Sequence, residues 1–391
     1  MRQQQTDKPP LIKLNVALFV GLPILALVLV PYWGLTVGYS ASQWILAVVF
    51  LYLNGLSITA GYHRLWAHKA YSAHPALRWF FAIWGAGALQ NSIFIWTSDH
   101  RRHHRHVDDN AADPYSAKRG FWYSHIGWIL RAYNSNDFSN IPDIQRDPVA
   151  QFQHTHYVAL AILMNLGLPL LLGVMLGDVI GTLLLVGAAR LIVNHHVTFF
   201  INSLAHIWGR QPYTQENTAR DNDLLAFLTY GEGYHNYHHI FQTDYRNGVR
   251  WWQWDPTKWL IYGCSKIGLA SNLVRISDFK IQRALLSNQF EKARERLELV
   301  AGAERLRALL EQEYELFTQA VGKWTSLQSE RYEKSKERLG DVIDGHRQQL
   351  QLRWENAPVA VRLKQLEKAL AVQRKRVQLL TEQITMQMQS A

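Results

Sequence analysis

The sequence predicts an all-α integral membrane protein with a helical extension at its C-terminal end. Three observations carry that prediction. Hydrophobic residues fill 48% of the 391 positions, an ordinary share, but they are segregated into four long apolar runs. Three tight histidine clusters stand outside those runs, the first just past the end of the second run. Beyond about residue 287 the chain turns rich in Glu, Lys, Arg, Gln and Leu, with no glycine after Gly345.

The apolar runs cover residues 14–33, 44–58, 157–175 and 179–193, the last broken only by Arg190 near its end. A bilayer core of about 30 Å needs roughly 20 residues of helix. With their weakly polar flanks counted, the expected spans are 14–33, 43–62, 157–176 and 179–199. They pair as two hairpins, joined through 34–42 and through Gly177-Asp178. The first run lacks a small-residue cleavage site, so a retained anchor is expected there rather than a secretory signal.

Charge sets the expected orientation. Lys8 and Lys13 precede the first span, Arg64 and Lys69 follow the second, and Arg101, Arg102 and Arg105 lie farther on, while the hairpin loops carry neither Lys nor Arg. The positive-inside rule then places both termini, including residues 1–13, and all three histidine clusters in the cytoplasm. The single cysteine, Cys264, excludes an intramolecular disulfide and fits a reducing compartment. Residues 76–96, with Trp79, Phe80, Phe81 and Trp84, are apolar enough to suggest a fifth span. A fifth span would separate the first two clusters across the membrane, so this stretch is expected to be an interfacial or re-entrant helix.

The clusters are His63/His68, His100/His103/His104 and His235/His238/His239. Neutral imidazole binds first-row transition ions well, and eight nitrogens exceed what one ion uses, so the count suggests two metals. In the second and third clusters the i, i+3, i+4 spacing puts three imidazoles on one helix face. The i, i+5 spacing of the first does not share a face on a straight helix and fits a helix end where the chain turns.

Together these motifs resemble the membrane fatty acyl desaturases, close to the stearoyl-CoA (Δ9 acyl-CoA) branch, in a bacterial-looking form. The pattern is H-x4-H, H-x2-H-H and H-x2-H-H, set in Gly61-Tyr62-His63-Arg64-Leu65-Trp66, Asp99-His100-Arg101 and Gly231-Glu232-Gly233-Tyr234-His235-Asn236-Tyr237-His238-His239. Asn202-Ser203-Leu204-Ala205-His206 is similar to the family's N-S-x-x-H element. The likeness runs over about residues 14–275. It implies four transmembrane helices capped by a cytosolic helical domain that holds a diiron centre. Two ferrous ions would be bound by His63, His68, His100, His103, His104, His206, His235, His238 and His239, with Asn202 acting through water. It further implies a kinked acyl tunnel past Trp96 and Thr198, ending on the second span at Leu51, with Gly55 one turn nearer the metals. His74, His106, His125, His154, His156, His195, His196 and His346 match no ligand position. Asp99, Asp223, Glu232 and Asp244 are candidates to accept from the imidazole N–H groups.

The activity that the resemblance implies is O2-dependent introduction of a cis double bond, at Δ9, into a C16–C18 acyl chain. An unactivated methylene is beyond any side-chain acid or base, so a cofactor must carry the step. The acyl carrier is CoA by resemblance, with an acyl lipid as competitor. Two electrons must come from a separate ferredoxin, rubredoxin or flavoprotein reductase, since no H-P-G-G or G-x-G-x-x-G sequence is present. A diiron hydroxylase shares the chemistry. A metal transporter or sensor would place ionisable ligands within the spans rather than at their ends. The net charge of +10 follows membrane topology, and no nucleic-acid motif accompanies it. The expected location is a bacterial cytoplasmic membrane.

The tail, 287–391, reads as coiled coil or helical hairpin. Val359, Leu363, Leu366, Leu370, Val377, Leu380 and Ile384 follow 3-4 spacing, interrupted by Gln373. A last helix is expected to start at Asn356-Ala357-Pro358, after two others near 288–320 and 325–352. Self-association through these helices, or docking of a redox partner, is the functional expectation.

Overall fold

The computed structural model describes residues 8–133, 137–300, 303–344 and 357–390. Residues 1–7 of the N-terminal stretch, Asn356, His346 and the end of the helix expected to reach residue 352 lie outside them. The chain divides into two compact units, residues 1–211 with 216–275, and residues 276–391 with 212–215.

Four helices of the first unit are long and apolar enough to cross a membrane: α1 (Lys13–Thr36), α2 (Ala41–Ala67), α5 (Tyr157–Leu176) and α6 (Val179–Ile207). This is a multi-pass membrane protein. The apolar runs become helices because nothing inside them offers the backbone another partner, and in lipid every N–H and C=O must be satisfied within the segment. Their ends are set by polar residues. Ser40 and Gln43 form a capping box at the start of α2. Gly177, at φ 73°, terminates α5 in the left-handed conformation that glycine tolerates. Asp178 then caps α6, accepting from Gly181 N–H at 2.8 Å. The same carboxylate accepts from Trp33 Nε1 (3.2 Å) and Gln43 Nε2 (2.9 Å), so one residue ties α1, α2 and α6 together at that end of the bundle.

Between α2 and α5 lie α3 (Pro75–Ala86) and α4 (Ile93–His106). At 12 residues, α3 is too short to span a bilayer. It packs Phe81 and Ala82 into a buried core with Tyr62 and Trp66 of α2, and it leaves Trp79 and Phe80 partly exposed. The rest of the unit is short elements, among them α7 (Asp223–Leu228), α8 (His235–Ile240), α9 (Pro256–Lys266), and a two-residue antiparallel pairing of Ser72–Ala73 with Ala270–Ser271. Cys264 is buried in the core as a free thiol.

The second unit holds α10 (Asp278–Glu298), α11 (Glu304–Asp344) and α12 (Ala357–Ser390). Leu363, Leu370, Val377 and Ile384 are buried at seven-residue intervals on α12. Gln373 breaks that apolar stripe without leaving it. Its Nε2 donates to the Glu313 carbonyl at 2.6 Å, which satisfies the buried amide. The helix break differs from the expectation. It falls after Glu298, where Val300 and Ala303 are buried, and α11 runs unbroken through 320–325. Gly322 alone there does not stop a helix that tertiary packing supports.

Candidate metal centre

The first histidine pair depends on how α2 is wound. Over Ser57–Ala67 the backbone hydrogen bonds run i→i+5, and His68 N–H closes the last turn onto the His63 carbonyl at 3.0 Å. In this wider π winding residues five apart stack, and the two imidazole centroids lie 4.7 Å apart. The H-x4-H spacing therefore shares one face because the helix is not a regular α-helix. On α4, capped by Ser92, His100, His103 and His104 line one side. On α8 they are His235, His238 and His239, and the Asp221 carboxylate accepts from the Asn236 and Tyr237 N–H groups at 2.9 and 3.1 Å to start that helix. The end of α6 contributes His206.

The nine imidazoles sort into two groups, each with ligand atoms within 4.8 Å of one another. His63, His68, His100, His104 and His238 form one, and His103, His206, His235 and His239 the other. Helices α4 and α8 each feed both groups, so the two are built as one unit. The Nε2 atoms face inward. His68 and His100 approach to 2.8 Å, His63 and His238 to 2.9 Å, His238 and His104 to 3.0 Å. In the second group the separations are 3.1 Å (His206–His235 and His235–His239) and 3.3 Å (His103–His239). Two nitrogens bound to one first-row ion at about 2.1 Å each lie roughly 3 Å apart, so the donor set fits a metal in each group.

Three of the outward nitrogens are held in place by short contacts, whereas Nδ1 of His235 and of His238 has no hydrogen-bond partner among the described residues. His63 Nδ1 meets Glu232 at 3.0 Å, His103 Nδ1 meets Asp113 at 2.9 Å, and His206 Nδ1 meets Thr218 Oγ1 at 2.8 Å. Thr218 donates in turn to Asp108 at 2.6 Å. Such partners fix tautomer and ring orientation. Of the four acidic residues singled out in the sequence, Glu232 takes this role, while Asp99, Asp223 and Asp244 pair with Arg102, Arg210 and Arg246. Asp113, Asp108 and Thr218 were not anticipated. Burial alone would raise the Glu232 carboxyl, but His63 and Arg64 more than reverse it and hold it below the usual carboxylate range. Burial, and then the crowding of neighbouring imidazoles, pushes His68, His100, His104, His235, His238 and His239 well below the ordinary histidine value. They are thus neutral, the form that ligates.

A narrow cavity opens from the histidines. Trp96, Thr198, Gly55 and Asn202 all line it. Trp96 stacks on His100 with centroids 4.7 Å apart, and Gln90 Nε2 donates to Thr198 Oγ1 at 2.9 Å. Leu51 is absent from the lining. Tyr230 stands there instead, its ring lying where a Cβ on Gly55 would be 2.2 Å away, and its hydroxyl donates to the Leu51 carbonyl at 3.2 Å. Several remaining histidines have local partners. His74 caps α3, His154 meets Ser92, His195 meets the Ala88 carbonyl, and His125 sits between Ser203 and His196.

A sequence model described as fatty acid desaturase matches residues 42–266, which carry all nine histidines. Over 279 residues the chain is 43% identical to the "Probable acyl-CoA desaturase" of Schizosaccharomyces pombe, covering 71% of this chain and 57% of that protein. It is 43% identical to "Acyl-CoA desaturase 1" of Saccharomyces cerevisiae over 71% of this chain and 55% of that one. It is 36% identical to "Stearoyl-CoA desaturase 5" of Bos taurus over 59% and 70%. The chain thus spans little more than half the length of the two yeast relatives. With the family match running from the start of α2 to the end of α9 and enclosing both histidine groups, the chain belongs to the fatty acid desaturase family.

Proposed function

We propose that this chain is an O2-dependent acyl desaturase that places a cis double bond, at Δ9, in a saturated C16–C18 chain carried on CoA. The observation that carries this reading is a largely apolar cavity lined by His63, His100, His103 and His235, which belong to the two converging histidine groups. Two iron ions held by the nine histidines, with Asn202 beside them, would supply the oxidising power that C–H cleavage needs. The overall balance is one O2, two electrons and two protons consumed, two hydrogens lost from adjacent carbons, and two waters formed. The electrons come from a separate redox protein.

The chain's own residues do the rest. Trp96 and the Gln90–Thr198 pair shape the cavity beside the histidines, which selects the bond presented there. Burial of the imidazoles excludes bulk water, so the oxidant meets the acyl chain first. Glu232, Asp113 and Thr218 hold the ligand rings against rotation. Active site and termini on the cytoplasmic side follow from the charge flanking the spans.

The test is a fatty-acid profile by gas chromatography and mass spectrometry in a host lacking its own Δ9 desaturase, beside His238→Ala. A new cis-Δ9 monoene that disappears in His238→Ala supports the reading. No product from metal-loaded protein given reductant, O2 and acyl-CoA would overturn it.

A further inference from the structure

A second cavity, overwhelmingly apolar, lies among α1, α5 and α6. It shares three lining residues with the metal cavity: Gln90, Asn91 and Ile129. Phe19 lines the outer cavity and Phe199 the inner one, and their rings are 5.8 Å apart. One thin wall separates a groove among membrane-spanning helices from the metals.

That wall is mainly the short α3–α4 connection, where Leu89 and Asn91 both adopt left-handed backbone (φ 51° and 73°), a conformation that costs non-glycine residues energy. Its other part moves with the start of α1, because Ile12 N–H donates to the Leu130 carbonyl (3.0 Å) and Ala132 N–H to the Pro10 carbonyl (3.1 Å). Hydrogen bonds tie both parts to the spans. Gln90 is held by Thr198 (2.9 Å), Asn91 N–H by the Tyr157 hydroxyl (3.0 Å), and the Ile129 carbonyl by Asn15 Nδ2 of α1 (2.7 Å). Helix α1 is the least embedded span, with 11% of its apolar window buried against 50% for α2. A helix with so few packed contacts moves at low cost.

We infer that the acyl tail enters and leaves the metal cavity sideways from the bilayer, through the wall of Gln90, Asn91 and Ile129, with α1 as the moving part. The inference rests on the acyl-desaturase reading. Its physical ground is that the two cavities share three wall residues, so a tail lying in the groove is one wall away from the metals. Sideways exchange keeps the whole tail in apolar surroundings throughout. The ligand is one saturated acyl chain whose polar carrier stays at the membrane surface.

Ala188→Trp and Leu166→Trp fill the outer groove, and neither position lines the inner cavity. Full-length protein in phosphatidylcholine vesicles is photolabelled with a diazirine-bearing palmitoyl chain, presented on CoA in one arm and on phosphatidylcholine in the other. Wild type should be labelled at residues 89–91 and 129, and the arm that labels them identifies the carrier. Both variants should lose that labelling and at least fivefold in steady-state turnover. Metal content and the first turnover of prebound substrate should be unchanged. Wall labelling retained in both variants with turnover within twofold of wild type would overturn the inference, as would a first turnover that falls as far as the steady state. Because labelling needs no catalysis, a labelled wall in protein that forms no product would count against the desaturase reading and leave the route standing.

Discussion

Tyr230 lines the inner cavity against α2, and on the proposed acyl-desaturase reading Tyr230→Ala should lengthen the chains accepted. The ring packs against the bare backbone of Gly55, crosses Tyr52 edge-on at 5.4 Å and bonds the Leu51 carbonyl, so removing it exposes the next turn of α2. Each additional methylene buried is worth about 0.8 kcal/mol. A chain two carbons longer therefore gains about 1.6 kcal/mol, roughly fifteenfold in relative kcat/KM. The same reasoning assigns Leu51 a conditional role. While Tyr230 is present, Leu51→Trp should leave product lengths unchanged; in the Tyr230→Ala background it should become the floor and restore the original preference. The assay is competition between C16, C18 and C20 substrates with products resolved by mass spectrometry, and metal content serves as the check on folding. Unchanged preference in a metal-replete Tyr230→Ala protein would refute the reasoning. So would a Leu51→Trp effect as large alone as in the double variant.

Glu232→Gln weakens the acceptor that orients His63 and should lower metal affinity about 10–100-fold, read as metal retained after titration with a chelator. Asp178→Ala removes a helix cap and the acceptor for Trp33 and Gln43, at a cost of about 2–3 kcal/mol. Tm should fall by roughly 5–10 °C, and an unchanged Tm would show that the hairpin tie is idle. Burial alone would raise the Asp143 carboxyl, but hydrogen bonds from Arg101 and Lys69 outweigh it and hold it well below its ordinary value. A depressed folded-state carboxylate contributes stability present above about pH 4 and lost as pH falls through its folded value. Thermal midpoints measured from pH 6 to pH 3 should therefore fall less steeply in Asp143→Asn than in wild type, by a small amount because the pair is partly solvated.

The parts of this protein legible in the sequence are those written in local periodicity. Apolar runs mark the spans, and i, i+3, i+4 spacing puts His100, His103 and His104 on one side of α4. The winding at His63/His68 was not legible, because the preference for i→i+5 bonds over Ser57–Ala67 comes from packing. Nor were the partners of the outer imidazole nitrogens. Asp113 and Thr218 reach His103 and His206 through loops, whereas Asp223 and Asp244, nearer the third box in sequence, pair with Arg210 and Arg246. Nor was Tyr230, which lines the cavity where Leu51 does not, since it arrives from a distant loop over a glycine that makes room for it. In the tail, a heptad stripe located α12, whereas the break after Glu298 was missed although Gly302 stands just beyond it in the sequence.

The wide turns have a consequence for how this chain can change length. Each of the four spans contains one, at Ala17–Gly21, Ser57–Ala67, Leu163–Gly167 and Leu183–Ala189. Such a turn behaves like a one-residue insertion absorbed on the spot, leaving the helix on either side in phase. Delete a residue between His63 and His68 and the pair would acquire ordinary i, i+4 spacing. The turn that now takes up the extra residue would be lost with it, and the helix on either side would stay in phase. The same deletion in a regular stretch of these spans has nothing to absorb it, and everything beyond it would swing by about 100° around the axis. The wide turns are therefore the places where a span can lose a residue and still present the same faces.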